Sequence, residues 1–410
     1  MAYRFSVDDV AWLAGPSGER ALTAAADRPL TDASLLADLG RIRRVLDGEP
    51  DRAGAVVETV RLRRRAVVKL GSWAQRGLFT DEALQQASPL AVARHRADRL
   101  AGVDVHDVTC SVGGDLVVLA GRGAARTAGS DLDPVRVAMA RHNLSVAGVA
   151  AEVTTADARI VDAAGRLPYA DPARRDERGR RVMGADAVVP SIGDLDAAHP
   201  HRPPVLRVPP GLDYDALARP GEVQLVSLAG TVREAVLWPP ESATVGGPVG
   251  RRATVLDVQG TVLLDLTSDD PDDVDVAPPV EGDVLVDPDP AVVRAHLVRG
   301  YAARHGLRQL DPHLAYLTGP RPPPGIRAFR IVDQAPFTER TVAGWARRDG
   351  IGTLEIKQRG TALIPDDLRR RLRPALRGPT RAMTSVAASR VGRGPRAYWC
   401  RAVGPDGSDV

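Results

Sequence analysis

Asp107 ends a short apolar run and opens "DVTCSVGGD", a loop of small residues whose adjacent glycines, Gly113 and Gly114, lead into "LVVLAGRGAA". Small residues let a ligand approach backbone N–H groups closely, where a larger side chain would exclude it. The same pattern also serves as a plain tight turn from strand to helix. A second acid, Asp131, stands at the end of the next apolar segment, "ARTAGSD". Ligands of open α/β sheets sit beyond the carboxyl ends of the strands. Loop and acid together therefore predict a nucleoside pocket in which Asp131 accepts the ribose hydroxyls. The G-x-G-x-x-G of dinucleotide folds does not fit, because Thr109 and Ser111 occupy loop positions and the acid precedes the loop. A carboxylate there repels a pyrophosphate and favours a cationic ligand end, as an adenosyl-methionine would offer.

The elements that position these residues are legible as a change of texture along the chain. Over the first hundred residues the pattern is helical. Leu35, Leu36, Leu39, Ile42 and Leu46 share a helical face behind a cap at Asp32, and "RAGAVVETVRLRRRAVVKLG" closes on Gly71. Ser88-Pro89 predicts the start of another helix through "LAVARHRADRLAG". From about Val103, short apolar strands alternate with helices, the pattern of a parallel α/β sheet. Asp133 caps and Pro134 opens the helix "PVRVAMARHNLSVAG". Further strands are expected at "AEVTTAD", "VLRVPP", "EVQLVSLAG", "REAVLW" and "ATVLDVQGTVLLDL". An acidic, Pro-rich connection follows, then a helix from Pro290 to about Arg304 and a stiff linker, "TGPRPPPG". A small α+β domain ends the chain. The predicted division is 1–100 helical, 101–290 α/β, 291–325 helix and linker, and 326–405 the small domain.

"DVTCSVGGDLVVLA" and "GSDLDPVRVAMARHNLSVAG" resemble the first two motifs of class I methyltransferases, above all the trimethylguanosine synthase-like group. The resemblance implies a Rossmann-like fold and S-adenosyl-L-methionine as cofactor. It places Asp107, Cys110, Ser111, Gly113 and Gly114 in the cofactor loop, Asp131 at the ribose and Asp157 beside the adenine. "LFTDEALQQASP" resembles the family's stretch before the first motif, which brings Thr80 to the cofactor. The family's catalytic tetrad is [DNS]-P-P-[YFW], in which the polar side chain orients a target amine and the aromatic stacks on its base. Here the stretch is Asp171-Pro172-Ala173-Arg174. Asp171 and Pro172 fit, and Arg174 stands where the aromatic belongs, as a guanidinium able to stack or hold phosphate.

The end of the chain, with "GTLEIKQRGTALIPDDLRRRLRP", is similar to the THUMP-like domain fused to such methyltransferases in actinobacteria, which implies binding of structured RNA such as tRNA or rRNA. Charge agrees. Fifteen basic residues stand against four acidic ones between Arg340 and Arg401, whereas Asp257–Asp289 holds eleven acids and no base. A one-sided basic domain is the electrostatic footprint of a nucleic-acid binder. Lys357, Arg359, Arg369, Arg370, Arg371 and Arg373 are the expected phosphate contacts.

Other classes are poorly supported. Cys110 and Cys400 are the two cysteines, too few for a disulfide framework or a zinc cluster, and no histidine has metal-ligand spacing. The N-terminus lacks the basic start and apolar run of a signal peptide, and no apolar stretch approaches a membrane span, so a cytoplasmic location is expected. The expected activity is methyl transfer to a base nitrogen of structured RNA. An RNA-binding protein that keeps the methyltransferase fold without catalysis is the alternative, motivated by the substituted tetrad.

Overall fold

The computed structural model describes residues 3–46, 48–163, 165–173, 188–214, 216–217, 219–245, 249–324, 326, 328–387 and 394–403. The chain divides into two compact units, residues 1–249 with 255–263, and residues 250–254 with 264–410.

The first unit begins with helices α1 (Val7–Ala14), α2 (Pro16–Ala26), α3 (Leu35–Val45), α4 (Ala53–Leu70), α5 (Asp81–Gln86) and α6 (Leu90–Asp98). Gly71 ends α4 at φ +88°, a conformation that suits glycine. Two expected caps fail. Ser34, not Asp32, sits at the start of α3, and Asp32 pairs with Arg61 instead. Pro89 precedes α6, and the Ser88 hydroxyl accepts from buried Arg96. On α3, Ile42 and Leu46 are buried while Leu36 is exposed, because the buried stripe is narrower than the leucine pattern suggests. The helical core extends into the α/β part and includes Val112 and Met139.

The sheet of this unit contains β1 (Val105–Asp107), β2 (Thr127–Asp131), β3 (Glu152–Thr155), β4 (Leu167–Ala170), β5 (Val205–Val208), β6 (Gly221–Leu228) and β7 (Thr231–Trp238), in the order β3-β2-β1-β4-β5-β7-β6. Pairings from β3 to β5 are parallel, and β7 runs antiparallel to both β5 and β6. Helices α7 (Gly114–Gly121), α8 (Pro134–Ala147) and α9 (Ile192–Ala198) complete it. As expected, Asp133 caps α8, accepting from the Val135 N–H, with Pro134 at the first turn. The strand order reverses between β1 and β4, which opens a crevice at their carboxyl ends. The two strands β8 (Val249–Leu256) and β9 (Val262–Thr267) carry the boundary between the units.

The second unit is a seven-stranded sheet in the order β11-β12-β10-β13-β16-β15-β14. Its elements are β10 (Val284–Val286), α10 (Pro290–Arg294), α11 (Val298–His305), β11 (Arg308–Gln309), β12 (Leu317–Gly319), β13 (Ala328–Pro336), α12 (Glu339–Arg348), β14 (Ile351–Arg359), α13 (Pro365–Leu372), β15 (Thr380–Ala387) and β16 (Arg396–Val403). Helices α12 and α13 cover one face through Val342, Trp345, Leu368 and Leu372, packed against Leu354, Ile356 and Trp399. Two expectations need correction here. The helix from Pro290 is broken, with His296 at φ +61° between α10 and α11. The stretch read as a linker starts as β12, whose backbone groups pair with β10.

Candidate active site

Asp107 is the last residue of β1 and is buried, its Oδ1 accepting the Thr109 N–H at 3.2 Å. The loop then turns sharply. Ser111 adopts φ +50° and Gly113 φ +79°. A β-carbon on Gly113 would lie 3.1 Å from Ala140 Cβ, so this glycine lets the loop pack on α8. On Gly114 it would meet nothing within 4 Å, and Gly114 lines an open cavity of about 480 Å³. The two glycines therefore have different jobs, one in packing and one in keeping the cavity clear. Cys110 is buried behind the loop, 3.2 Å from the β-carbon position of Gly129. Burial, then Asp107 and Asp131, push its thiol well above the ordinary range, which suits packing and not nucleophilic attack.

Asp131 ends β2 with both oxygens engaged, one by the Ser111 N–H and one by the Asp133 N–H, each at 2.9 Å. Burial raises its pKa against those hydrogen bonds. Asp157, beyond β3, pairs with Arg159 at 2.6 Å, which lowers its pKa. Asp107, Cys110, Ser111, Gly114, Asp131 and Asp157 all line the same cavity. Gly113 does not, and Thr80 lies on a neighbouring cavity, where its hydroxyl caps α5 by accepting the Ala83 N–H. The segment before α5 is nonetheless tied to the loop. Buried Asn143 of α8 donates to the Leu78 and Val112 carbonyls at 2.9 and 2.8 Å and accepts the Leu78 N–H at 2.7 Å.

Asp171 follows β4. Its N–H donates to the Thr109 hydroxyl at 2.7 Å, which couples this segment to the loop. Its carboxylate joins a cluster that sequence reasoning missed. Arg207 of β5 lies 2.5 Å from Asp171 and 3.6 Å from both Asp115 and Glu234. Arg96, only 2% exposed, reaches Asp115 at 2.7 Å and pairs with Glu234. The Tyr169 hydroxyl donates to Asp115 at 2.7 Å. The available signal was a charge set against apolar strand residues: Arg207 in "VLRVPP" and Glu234, next to Arg233, in "REAVLW". Buried charges need such partners.

The electrostatics separate the acids. Burial alone would raise Asp115, but Arg96 and Arg207 hold it below the usual range. Burial, then Asp115, pushes Asp107 well up. Burial also outweighs Arg207 at Asp171 and raises its pKa to about 6. A cavity wall so rich in strained carboxylates fits a cationic ligand. Asp171 opens both onto this cavity and onto a second one of about 940 Å³, which Pro172 lines. Arg174 lies outside the described residues.

In the second unit the expected phosphate contacts are mostly paired. Lys357 and Arg359 both bridge Asp287, at 3.1 and 2.7 Å, on the side of β14 opposite its buried Leu354 and Ile356. Arg369 pairs with Asp366, Arg370 with Asp367, and Arg371 with Glu339 at 2.6 Å. Of the six, only Arg373 makes no ion pair among the described residues. Arg340, Arg347 and Arg377, exposed on or beside α12 and α13, are likewise without carboxylate partners there.

Among the described residues no cluster of three or more His, Cys, Asp or Glu side chains could hold a metal, and no helix is long and apolar enough to cross a membrane. Residues 326–402 match the family model described as THUMP domain-like, and residues 6–66 match one described as a domain of unknown function. The chain is 46% identical over 363 residues to an uncharacterized S-adenosylmethionine-dependent methyltransferase of Mycobacterium tuberculosis, a match covering 86% of this chain and 98% of that one. The same figures hold for the protein of a second strain of that organism. A crystal structure of a candidate methyltransferase from Porphyromonas gingivalis W83 superposes with a TM-score of 0.68 at 19% identity, covering 98% of this chain and 99% of the other, which establishes a shared fold. At 46% identity over 86% of its length to that relative, the chain belongs to the S-adenosylmethionine-dependent methyltransferases.

Proposed function

We propose that the chain methylates a base nitrogen of structured RNA, with S-adenosyl-L-methionine seated in the cavity at the carboxyl ends of β1 and β2. The observation that carries this reading is the Asp171 carboxylate, which faces both the cofactor cavity and the second cavity beside it. The residues present fit the cofactor. Gly114 leaves room for close backbone approach, Asp131 retains lone pairs for the ribose hydroxyls, and Asp157 would accept from the adenine amine. Asp107, pushed up by burial and Asp115, would be relieved by the cofactor's cationic end. Thr80 would act indirectly, by fixing α5, whose Glu82, Ala83 and Gln86 line the cavity.

When bound, the cofactor supplies a methyl group on a positively charged sulfur. Asp171, held by Arg207, would accept a hydrogen bond from the target amine and turn its lone pair toward the methyl. Pro172 would fix the backbone beside it. Positioning is the main demand in such a displacement, and a carboxylate buttressed by a buried arginine is rigid enough to supply it. The THUMP-like end and its exposed arginines support RNA as the acceptor-bearing molecule. Nucleoside mass spectrometry of tRNA and rRNA from a strain lacking the protein tests this: one methylated nucleoside should disappear and return with the wild type but not with Asp171→Ala. An unchanged nucleoside profile would refute it. Ala173, standing where the tetrad has its second proline, favours a second reading, an RNA binder without turnover.

A further inference from the structure

The cavity on the far side of Asp171 has more cations on its wall than carboxylates left to balance them. Each acid lining it is already paired. Asp81 meets Arg65 at 2.6 Å, and Glu82 and Asp133 meet Arg136 at 2.9 and 3.6 Å. Asp171 and Glu234 are held by Arg207 and Arg96. Against these stand Arg4, Lys69 and Arg233, three wall residues without an ion pair among the described residues. The Lys69 ammonium donates to the Leu84 and Gln85 carbonyls at 2.8 and 2.9 Å, neutral acceptors that leave its charge uncompensated. Burial, then Arg207, Arg233 and Arg65, hold its pKa at about 8. The ring of Tyr3 lies on the same wall.

We infer that Arg4, Lys69 and Arg233 form a phosphate site that seats the acceptor nucleotide beside Asp171. This rests on the reading of Asp171 as the group that orients the acceptor. An anion would satisfy three unbalanced cations, and a phosphate held beside the group that orients a target amine describes a nucleotide. Tyr3 would offer the base a ring to lie against, in a site whose tetrad has Arg174 in place of an aromatic.

The test uses the full chain saturated with S-adenosylhomocysteine, titrated calorimetrically with inorganic pyrophosphate and with nucleoside 5′-monophosphates and their parent nucleosides. Pyrophosphate should bind, and at least one monophosphate should bind about tenfold more tightly than its nucleoside, the worth of one charge-assisted hydrogen bond. Arg233→Gln and Lys69→Gln should each weaken pyrophosphate by about the same factor, while S-adenosylhomocysteine affinity stays the same. Arg233 is exposed and unpaired, so its replacement tests the site even where Lys69→Gln disturbs α5. Nucleosides binding as tightly as their monophosphates, or pyrophosphate affinity unchanged in Arg233→Gln, would overturn the inference. An unchanged nucleoside profile in the strain lacking the protein would overturn the acceptor reading and leave the anion titration standing.

Discussion

Arg207 lies 2.5 Å from the Asp171 carboxylate, and its other nitrogen donates to the Gln86 carbonyl at 2.8 Å, so one guanidinium joins the proposed catalytic carboxylate to the helix α5 that borders both cavities. Replacing Arg207 with Ala leaves Asp115, Asp171 and Glu234 with Arg96 as their only buried cation among the described residues. Breaking such a cluster costs about 3–5 kcal/mol. Chemical denaturation should report a loss of that size, and Arg207→Lys should recover only part of it, because an ammonium lacks the planar fork. A loss under about 1 kcal/mol, the worth of an exposed pair, would show the cluster is not the buried network described.

Asp171 titrates near 6 and must be a carboxylate to accept from an amine. The value of kcat/KM should therefore rise with pH through a midpoint near 6, the behaviour of an essential base in the free enzyme. The stability linkage has the opposite sign. A carboxyl whose folded pKa lies above its unfolded value of 3.8 binds its proton more tightly when folded, so its contribution to stability is present below that value and lost as pH climbs toward about 6. Asp171→Asn should flatten both profiles. A rate profile without an inflection in that range would contradict the assignment.

The two loop glycines should separate by their readouts. Gly113→Ala places a β-carbon 3.1 Å from Ala140 in a left-handed backbone, so it should destabilise the fold by about 1–3 kcal/mol. Gly114→Val projects into the open cavity. It should leave thermal stability nearly unchanged while weakening S-adenosylhomocysteine at least about tenfold, the cost of losing about 1.4 kcal/mol of contact. Equal effects of the two changes on stability would contradict this division.

In the THUMP-like unit, cations without carboxylate partners should dominate phosphate binding. Changing Arg340, Arg347, Arg373 and Arg377 together to Ala should lower the salt slope of RNA binding by about 3, at roughly 0.7–0.9 per contact. The Arg369, Arg370 and Arg371 triple change should lower it less, because each of those already faces an acid. RNA affinity measured against salt distinguishes the two, and a larger effect of the triple change would reverse the ranking.

Local signals were legible where chemistry and backbone coincide. Asp107, Asp131 and the cap at Asp133 declare themselves because strand ends, loop and helix start are contiguous in sequence. Arg96, Arg207 and Glu234 were not legible, because their partners come from α7, β4 and beyond, and only folding reveals which lone charges meet. Asn143 closes the second motif, yet its bonds to Leu78 and Val112 span elements that periodicity treats separately. For Lys357 and Arg359, strand alternation placed both on one face, while their shared partner Asp287, far away in sequence, was not legible. The break at His296 and the strand at Leu317–Gly319 were hidden because short elements carry too little pattern to outweigh a run of prolines.

Direction of methyl transfer to RNA by Asp171 is tested by transfer of labelled methyl from S-adenosyl-L-methionine to total cellular RNA, by the purified full chain and by Asp171→Ala. Label should enter RNA with the wild type and fall at least about a hundredfold in the variant, as for a positioned proton acceptor, while S-adenosylhomocysteine binds both equally. Equal labelling by Asp171→Ala, or no labelling of RNA by a wild type that binds S-adenosylhomocysteine, would contradict it.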